Sequence, residues 1–247
     1  MRVCRFRDAE AVARSAAVRA AEAARAAIAE RGVFTIALAG GDTPRRMYER
    51  LAADRALDGA RSEFFWGDER PVPPEHPDSN FAMADAALLR PLGVDPRRIH
   101  RIEAERGDLD AVARDYEREL AKTCGAPAGH PPRLDLMLLG MGADGHTASL
   151  FPYTAALSES RRWVVANDVP QLSTRRITAA FPLIERARSV LVLVTGEAKA
   201  LTLAEVLEGS LDPERLPSQR LRGFAGVDWF VDSAAASALR SGESCET

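Results

Sequence analysis

The sequence predicts an α/β protein with an open, mainly parallel sheet and helices on both of its faces. Two observations predict this class. Short, wholly apolar runs, of which residues 134–139 are the clearest, indicate strands that are buried on both faces. These runs alternate along the chain with alanine-rich or charged segments of helical length, as strands and helices do in parallel sheets.

The strands are predicted from apolar or β-branched runs that end in turn-forming residues. Glycines after such a run let the backbone turn sharply where the strand stops. The predicted strands cover residues 33–39, 63–66, 99–102, 134–139, 163–166, 177–180, 190–195 and 227–231.

The helices are predicted from their composition and from capping residues. The first covers residues 8–31, with Asp8 as N-cap and Gly32 just after its end. Pro44 is well placed as the first residue of the second. This second helix is predicted to run to about residue 53. Further helices are predicted to begin at Asp78 or Ser79, to cover 108–123 and about 197–207, and to follow Asp232.

The length of 247 residues fits one large α/β domain or two small ones. The sequence contains no internal repeat and no linker long enough to divide it. We therefore predict a single domain over residues 1–240, with residues 241–247 as a flexible tail.

Composition narrows the class of function. Hydrophobic residues make up 46% of the chain, and the formal net charge is −3 with arginines and acids interleaved. This charge pattern argues against a nucleic-acid partner, and no apolar run approaches membrane-spanning length. Three widely spaced cysteines, Cys4, Cys124 and Cys245, predict free thiols and a cytoplasmic protein, and acids near the amino terminus argue against a transit peptide.

The residues after the apolar run 134–139 are the strongest candidates for chemistry. Asp144 and His146 follow that run and have glycines around them. In open α/β sheets, ligands bind at the carboxyl ends of the strands. A histidine there is a candidate acid or base, and a neighbouring acid can orient it. The alternative is an Asp–Gly turn with a solvated histidine.

The same stretch also spells the dinucleotide-binding fingerprint G-x-G-x-x-G, through Gly140, Gly142 and Gly145. Two features argue against NAD binding. Asp144 lies inside the loop, where its charge would repel a pyrophosphate, and Pro152 cuts short the helix whose dipole should hold the phosphates.

Two further strand-end loops carry unusual groups. Residues 40–44, Gly-Gly-Asp-Thr-Pro, can form an anion cradle from glycine N–H groups and the start of a helix, or an ordinary strand–helix turn with Asp42 or Thr43 as N-cap. Residues 68–70, Asp-Glu-Arg, place an arginine just after a strand, where it can hold a carboxylate or phosphate. The alternative is that this arginine forms only a surface ion pair. Taken singly, Arg176 and Lys199 are surface charges.

Together these loops closely resemble the 6-phosphogluconolactonase family. The hallmarks of that family are an S-G-G-S-T-P-like loop, a D-E-R loop and G-x-G-x-D-G-H-T-A-S-L-F-P. They correspond here to residues 39–44, 68–70 and 140–152, and residues 176–178, 196–200 and 227–232 match as well. The resemblance spans nearly the whole chain, and the D-G-H-T-A-S-L-F-P string is its most specific part.

The resemblance implies a Rossmann-like three-layer fold of the isomerase/lactonase type. It also implies hydrolysis of 6-phosphoglucono-1,5-lactone to 6-phosphogluconate, with a sugar-phosphate lactone as the partner and with no metal or cofactor. In the implied mechanism His146 is the base and acid, Asp144 orients it, and Arg70 binds the substrate anion or the oxyanion. The implied substrate- and phosphate-binding residues are Gly40, Gly41, Thr43, Asp68, Arg176 and Lys199.

This sequence departs from the family pattern in the first loop, where Ala39 and Asp42 replace the usual serines. A serine hydroxyl can donate to phosphate, whereas an aspartate repels it. Asp42 therefore either points away as a helix cap or reduces phosphate affinity.

Two alternatives stay open. The first is a glucosamine-6-phosphate isomerase or deaminase, but those enzymes resemble this chain less closely because they carry a glutamate where Phe151 stands and an aromatic residue where Arg70 stands. The second is a sugar-phosphate sensor without catalysis, against which the retained His146 and Arg70 argue. The oligomeric state is not determined by the sequence, with a monomer slightly favoured.

Overall fold

A computed structural model describes residues 1–127 and 129–240. Its main sheet has six strands, all parallel, in the order β1-β9-β8-β5-β2-β3. These strands are β1 (Arg2–Phe6), β2 (Phe34–Leu38), β3 (Ser62–Trp66), β5 (Leu136–Gly140), β8 (Val190–Val194) and β9 (Val227–Asp232). The predicted α/β class and parallel sheet are confirmed.

A small antiparallel sheet continues from the main one. It contains β4 (Asp68–Glu69), β7 (Thr174–Ala179) and β6 (Val164–Val169), in the order β4-β7-β6. Gly67 joins the two sheets, because its N–H donates to Leu38 in β2 while its carbonyl accepts from Ala179 in β7. The chain therefore passes from one sheet to the other just where the Asp-Glu-Arg segment begins.

The helices are α1 (Ala9–Arg31), α2 (Asp42–Ala53), α3 (Asn80–Ala84), α4 (Arg90–Leu92), α5 (Leu109–Thr123), α6 (Phe181–Arg186) and α7 (Ala200–Glu208). A π-helical turn, Asp85–Leu89, joins α3 to α4. The predicted caps of α1 are confirmed, since Asp8 accepts the N–H of Ala11 at 2.8 Å and Gly32 has a φ of 80°. The buried residues of α1 are mostly alanines, whose small side chains let the helix lie close to its neighbours.

Several sequence predictions are wrong. Strand β1 was not predicted, because its five residues become a strand only by pairing with β9 at the other end of the chain. Residues 99–102 are not a strand, and only Ile99 forms an isolated bridge, to Phe64. The residues after Asp232 form turns, not a helix. Asp232 does accept the N–H of Ala235, but so short an alanine-rich stretch is marginal as a helix.

The sequence prediction for the cysteines is confirmed only in part. Cys124 is a free thiol, whereas Cys4 is disulfide-bonded. Cys245 and the predicted tail lie outside the described residues, and the single-domain assignment stays a prediction. Within the described part of the chain, no helix is long and apolar enough to cross a membrane.

The strand order creates a crevice between β2 and β5. From β2 the chain moves outward to β3 on one side, whereas from β5 it proceeds through β8 to β9 on the other. Neighbouring loops that lead in opposite directions leave a gap at the carboxyl edge of the sheet. The loops after β2 and β5 are the glycine loop and the Asp-Gly-His loop of the sequence analysis.

Candidate active site

A cavity of about 240 Å³ occupies this crevice at the carboxyl ends of β2, β3, β5 and β8. Seven of the nine predicted site residues line it, namely Gly40, Gly41, Thr43, Asp68, Arg70, His146 and Lys199. Asp144 and Arg176 are not among the lining residues. Residues from the four loops that follow β2, β3, β5 and β8 therefore converge, as the parallel sheet predicts.

A larger cleft of about 580 Å³ lies beside α3 and α5. Charged side chains in its wall already pair with one another, as Arg106 does with Asp115 at 2.9 Å and His100 with Glu119 at 2.9 Å. Paired charges leave little affinity for a polar ligand, so the smaller cavity at the strand ends is the better candidate site.

His146 is held by Asp144. Nδ1 of His146 lies 2.5 Å from Oδ1 of Asp144, which also accepts the backbone N–H of His146 at 3.2 Å. With Nδ1 engaged, Nε2 is the ring nitrogen left for a ligand or water. Burial raises the pKa of Asp144, but the hydrogen bond and attraction from His146 outweigh it, so this pKa lies below its usual 3.8.

The imidazole of His146 packs between backbone and an aromatic ring. A Cβ on Gly142 would lie 2.2 Å from Cε1 and Nδ1, so only glycine leaves room for the ring. Phe151 stacks against the imidazole, with 4.1 Å between the ring centroids and an interplanar angle of 29°. No α-helix lies between β5 and β6. A dinucleotide fingerprint needs a helix directly after the glycine loop, so this agrees with the argument against a dinucleotide site.

The glycine loop leads from β2 into the amino end of α2. Gly41 is the N-cap and has a φ of 106°, which favours glycine. Asp42 is the first helical residue, so the prediction of Asp42 or Thr43 as N-cap is wrong. The side chain of Asp42 is 89% exposed, and it lies 3.7 Å from Arg45. The first N–H groups of a helix have no partner within it, which makes this end of α2 attractive to an anion.

Gly40 packs directly against Asn80 of α3. A Cβ at Gly40 would lie 1.9 Å from Oδ1 of Asn80. Nδ2 of Asn80 donates to the backbone carbonyl of Asp68 at 2.9 Å and more weakly to its carboxylate at 3.3 Å. Asn80 therefore joins the glycine loop to the Asp-Glu-Arg segment.

The two acids of that segment are buried and serve different contacts. Asp68 accepts the hydroxyl of Ser149 at 2.7 Å and faces the cavity. Glu69 instead accepts from the hydroxyl of Ser79 and from the N–H groups of Asn80 and Phe81, at the start of α3. Burial raises the pKa of Glu69 despite these donors. Glu69 thus caps a helix, and of the two acids only Asp68 lines the cavity.

Arg70 and Arg176 lie near each other. Arg70 lines the cavity and donates to the carbonyl of Asp78. Arg176 donates to Thr174 at 2.6 Å and to the carbonyl of Arg175 at 3.0 Å. Burial, and then the positive charge of Arg70, lower the pKa of Arg176. An anion between the two guanidinium groups would relieve their repulsion.

Lys199 is partly buried in the cavity wall at the turn that leads into α7. Burial lowers the pKa of its ammonium group, and the charge of Asp232 opposes this effect. Asp232 also accepts the N–H of Gly196 at 3.1 Å and so holds this turn. Thr43 bonds to Thr195 at 2.7 Å, which ties the turn to the glycine loop.

Sequence reasoning missed two residues of this site, Asn80 and Ser149. It also missed the contact between Phe151 and His146. Ser149 and Phe151 lie in the D-G-H-T-A-S-L-F-P string just after His146, but the string does not show what their side chains contact. Asn80 had no signal beyond its place after a predicted helix cap.

Comparison with known proteins places the chain in a family. The model of the glucosamine-6-phosphate isomerases/6-phosphogluconolactonase family matches residues 7–229. The 6-phosphogluconolactonase of Synechocystis is 43% identical over 87% of this chain and 88% of its own length. That of Mycobacterium tuberculosis is 38% identical over 96% of this chain and 97% of its own length.

A similar structure has also been solved. The crystal structure of 6-phosphogluconolactonase from Leishmania guyanensis superimposes with a TM-score of 0.86 at 30% identity, over 97% of this chain and 99% of that one. The chain therefore belongs to the glucosamine-6-phosphate isomerase/6-phosphogluconolactonase family.

Proposed function

We propose that this protein hydrolyses 6-phospho-D-glucono-1,5-lactone to 6-phospho-D-gluconate, the second step of the oxidative pentose phosphate pathway. The observation that carries the proposal is the Asp144–His146 pair, 2.5 Å apart, beside a cavity lined by the glycine loop, Arg70 and Lys199. Both lactonases compared above at high coverage support the same activity.

The chemistry suits these side chains. A lactone carbonyl is already electrophilic, so water can attack it once a base removes a proton. Nε2 of His146 takes that proton as the water oxygen bonds to C1. The resulting imidazolium returns a proton to the ring oxygen as the C1–O bond breaks, and the product acid then ionises.

Two neighbouring groups assist His146. Asp144 accepts a hydrogen bond from Nδ1–H, which leaves Nε2 unprotonated before the reaction and stabilises the imidazolium during it. Arg70 lies in the cavity wall, where its guanidinium can stabilise the oxyanion that forms at C1 or bind the substrate anion.

The phosphate is bound at the other side of the cavity. The N–H groups of Gly40, Gly41 and Thr43 lie at the amino end of α2, and Lys199 adds a positive charge. Arg176 lies next to Arg70, and the two positive charges together attract the anionic substrate. Binding of the remote phosphate orients C1 toward His146, which lowers the barrier by positioning. Asp68, fixed by Ser149, accepts a sugar hydroxyl.

We also propose that the protein is cytoplasmic and acts as a monomer. The free thiol of Cys124 supports the location, whereas the disulfide of Cys4 argues against a reducing compartment. Fractionation of the native cells and sedimentation of the purified protein test these two points, and a dimer or an organellar fraction would contradict them.

The activity is tested with lactone generated in situ by glucose-6-phosphate dehydrogenase, following acid release above the spontaneous rate. The wild-type protein should accelerate hydrolysis, and His146→Ala should lower turnover about a hundredfold or more. His130→Ala, at an exposed histidine outside the cavity, should match wild type.

Each negative result of this assay would lead to a different conclusion. A folded wild-type protein without acceleration would overturn the lactonase, and ammonia release from glucosamine 6-phosphate would then support a deaminase. Acceleration that His146→Ala leaves intact would keep the lactonase but remove His146 as its base.

A further inference from the structure

We propose that Phe151 is a positioning residue for the hydrolysis, which holds the imidazole of His146 in its reactive orientation and favours its protonated form. The inference rests on the proposed role of His146. It begins from the stacked contact between the two rings, at 4.1 Å between centroids and 29° between planes.

Three contacts confine the imidazole of His146. Asp144 holds the Nδ1 edge at 2.5 Å, and the backbone of Gly142 lies so close that a Cβ there would be 2.2 Å from the ring. Phe151 covers one face of the ring. Rotation about either side-chain torsion of His146 would therefore break the bond to Asp144 or collide with a neighbour, and Nε2 keeps one direction.

Phe151 is itself rigidly held. Its side chain is buried, with 7% of the residue exposed, and its carbonyl accepts both the hydroxyl and the N–H of Thr154, at 2.8 and 3.3 Å. The hydroxyl of Thr154 in turn accepts Nδ2 of the buried Asn167 at 3.0 Å. The small sheet, to which Asn167 belongs, thus fixes the aromatic platform under the histidine.

The stacked contact also becomes stronger as the reaction proceeds. The face of an aromatic ring carries partial negative charge and attracts a cation placed over it. His146 becomes a cation as it takes the proton from water, so the contact is stronger in the transition state than before it. An interaction of this kind raises kcat without tightening substrate binding. Phe151 is not among the residues that line the cavity, so it acts only through His146.

The test compares Phe151→Leu and Phe151→Met, which lack the aromatic face, with Phe151→Tyr, which keeps it. The first two should lower kcat about tenfold while KM changes by less than about twofold, and Phe151→Tyr should restore most of kcat. In the two non-aromatic variants the acidic limb of the rate–pH profile should move to lower pH, because the imidazolium loses its aromatic partner. Phe34→Leu is the control for a general loss of packing. Phe34 is fully buried at the amino end of β2, away from the carboxyl ends of the strands where the cavity lies, so this variant should keep wild-type kcat.

A double-mutant cycle separates this inference from the proposed function. If Phe151 acts through His146, adding Phe151→Leu to His146→Ala should lower the rate no further. A further loss equal to that in the wild-type background would overturn the positioning role, as would folded Phe151→Leu with wild-type kcat and pH profile. A fully active His146→Ala would instead overturn the proposed base.

One measurement tests the stacked contact in the wild-type protein itself and needs no variant of Phe151. Stacking on Phe151 should shift the His146 ring protons upfield in the NMR spectrum of the wild-type protein, with the signals identified by their absence in His146→Ala. Histidine signals at their ordinary positions would contradict the stacked arrangement.

Discussion

The carboxylate of Asp68 and the hydroxyl of Ser149 lie 2.7 Å apart and are buried, although 81 residues separate them in the chain. This bond connects the start of the Asp-Glu-Arg segment to the segment that follows His146. Asn80 binds the same aspartate from α3 and packs against Gly40. Asp68, through its carboxylate and its backbone carbonyl, thus connects the glycine loop, the Asp-Glu-Arg segment and the segment after His146.

Gly40→Ala should disturb this arrangement. The new methyl group would lie 1.9 Å from Oδ1 of Asn80, so Asn80 must move and its bonds to Asp68 must lengthen. We expect a loss of about 1–3 kcal/mol in the free energy of unfolding, together with a fall in kcat/KM. Denaturant unfolding and steady-state kinetics measure the two effects. Gly223→Ala is the control, since no atom lies within 4 Å of a Cβ there; equal stability of the two variants would refute the close contact.

Asp144→Asn should lower kcat about a hundredfold with little change in KM. At neutral pH the lowered pKa of Asp144 keeps its carboxylate ionised, and this carboxylate favours a proton on Nδ1. An asparagine amide can instead donate to Nδ1, which places the imidazole proton on Nε2 and removes the base. Asp168→Asn, at an aspartate that is 76% exposed, should behave as wild type. Unchanged kcat in Asp144→Asn would show that the pair does not set the tautomer.

Lys199→Met should weaken binding of 6-phosphogluconate about tenfold or more at neutral pH, because a charge-assisted contact to the phosphate is lost. The chain has only one other lysine, Lys122 in α5, and Lys122→Met is therefore the matched control. Titration calorimetry with the stable product avoids the spontaneous hydrolysis of the lactone.

The affinity for 6-phosphogluconate should also depend on pH through Lys199. Its pKa is lowered from the usual 10.5, so the ammonium group loses its proton at a lower pH than a free lysine does. Affinity should be present below that pKa and should decline as the pH rises through it. In Lys199→Met this alkaline decline should be absent; a decline of the same size in both proteins would assign it to another group.

Asp42→Asn should lower KM about two- to threefold. Asp42 lines the cavity at the amino end of α2, where its negative charge repels a phosphate bound to the same N–H groups. The effect should shrink as ionic strength is raised, since the carboxylate is exposed. Kinetics at low and high salt measure it. A KM that rises in Asp42→Asn would mean that the carboxylate binds substrate instead of opposing it.

Much of the candidate site could be predicted because its residues lie in short loops that each follow a strand. Asp144 and His146 are two residues apart, and their bond depends only on the glycine-rich turn between β5 and the next segment. Since parallel strands end at one edge of a sheet, the convergence of Arg70, Gly40 and His146 also followed from the alternation of strands and helices.

Other parts depend on contacts between segments far apart in the chain, which carry no local signal. Strand β1 exists because it pairs with β9, more than 220 residues later. Arg176 lies close to Arg70 but outside the cavity wall, because β7 pairs antiparallel with β4. The sequence marks Asn80 only as a residue at a helix start, and its contact with Gly40 forms only in the folded chain.

By itself, the sequence determined the α/β class, the strand-end loops and the Asp144–His146 pair, because apolar runs, glycines and short spacings act locally along the chain. Only the tertiary structure decided which buried groups hold that pair in place: Phe151 against the imidazole, and Ser149 and Asn80 on Asp68. The physical reason is that hydrogen bonding and ring stacking act over a few ångströms of space, and the fold alone decides which distant segments come that close.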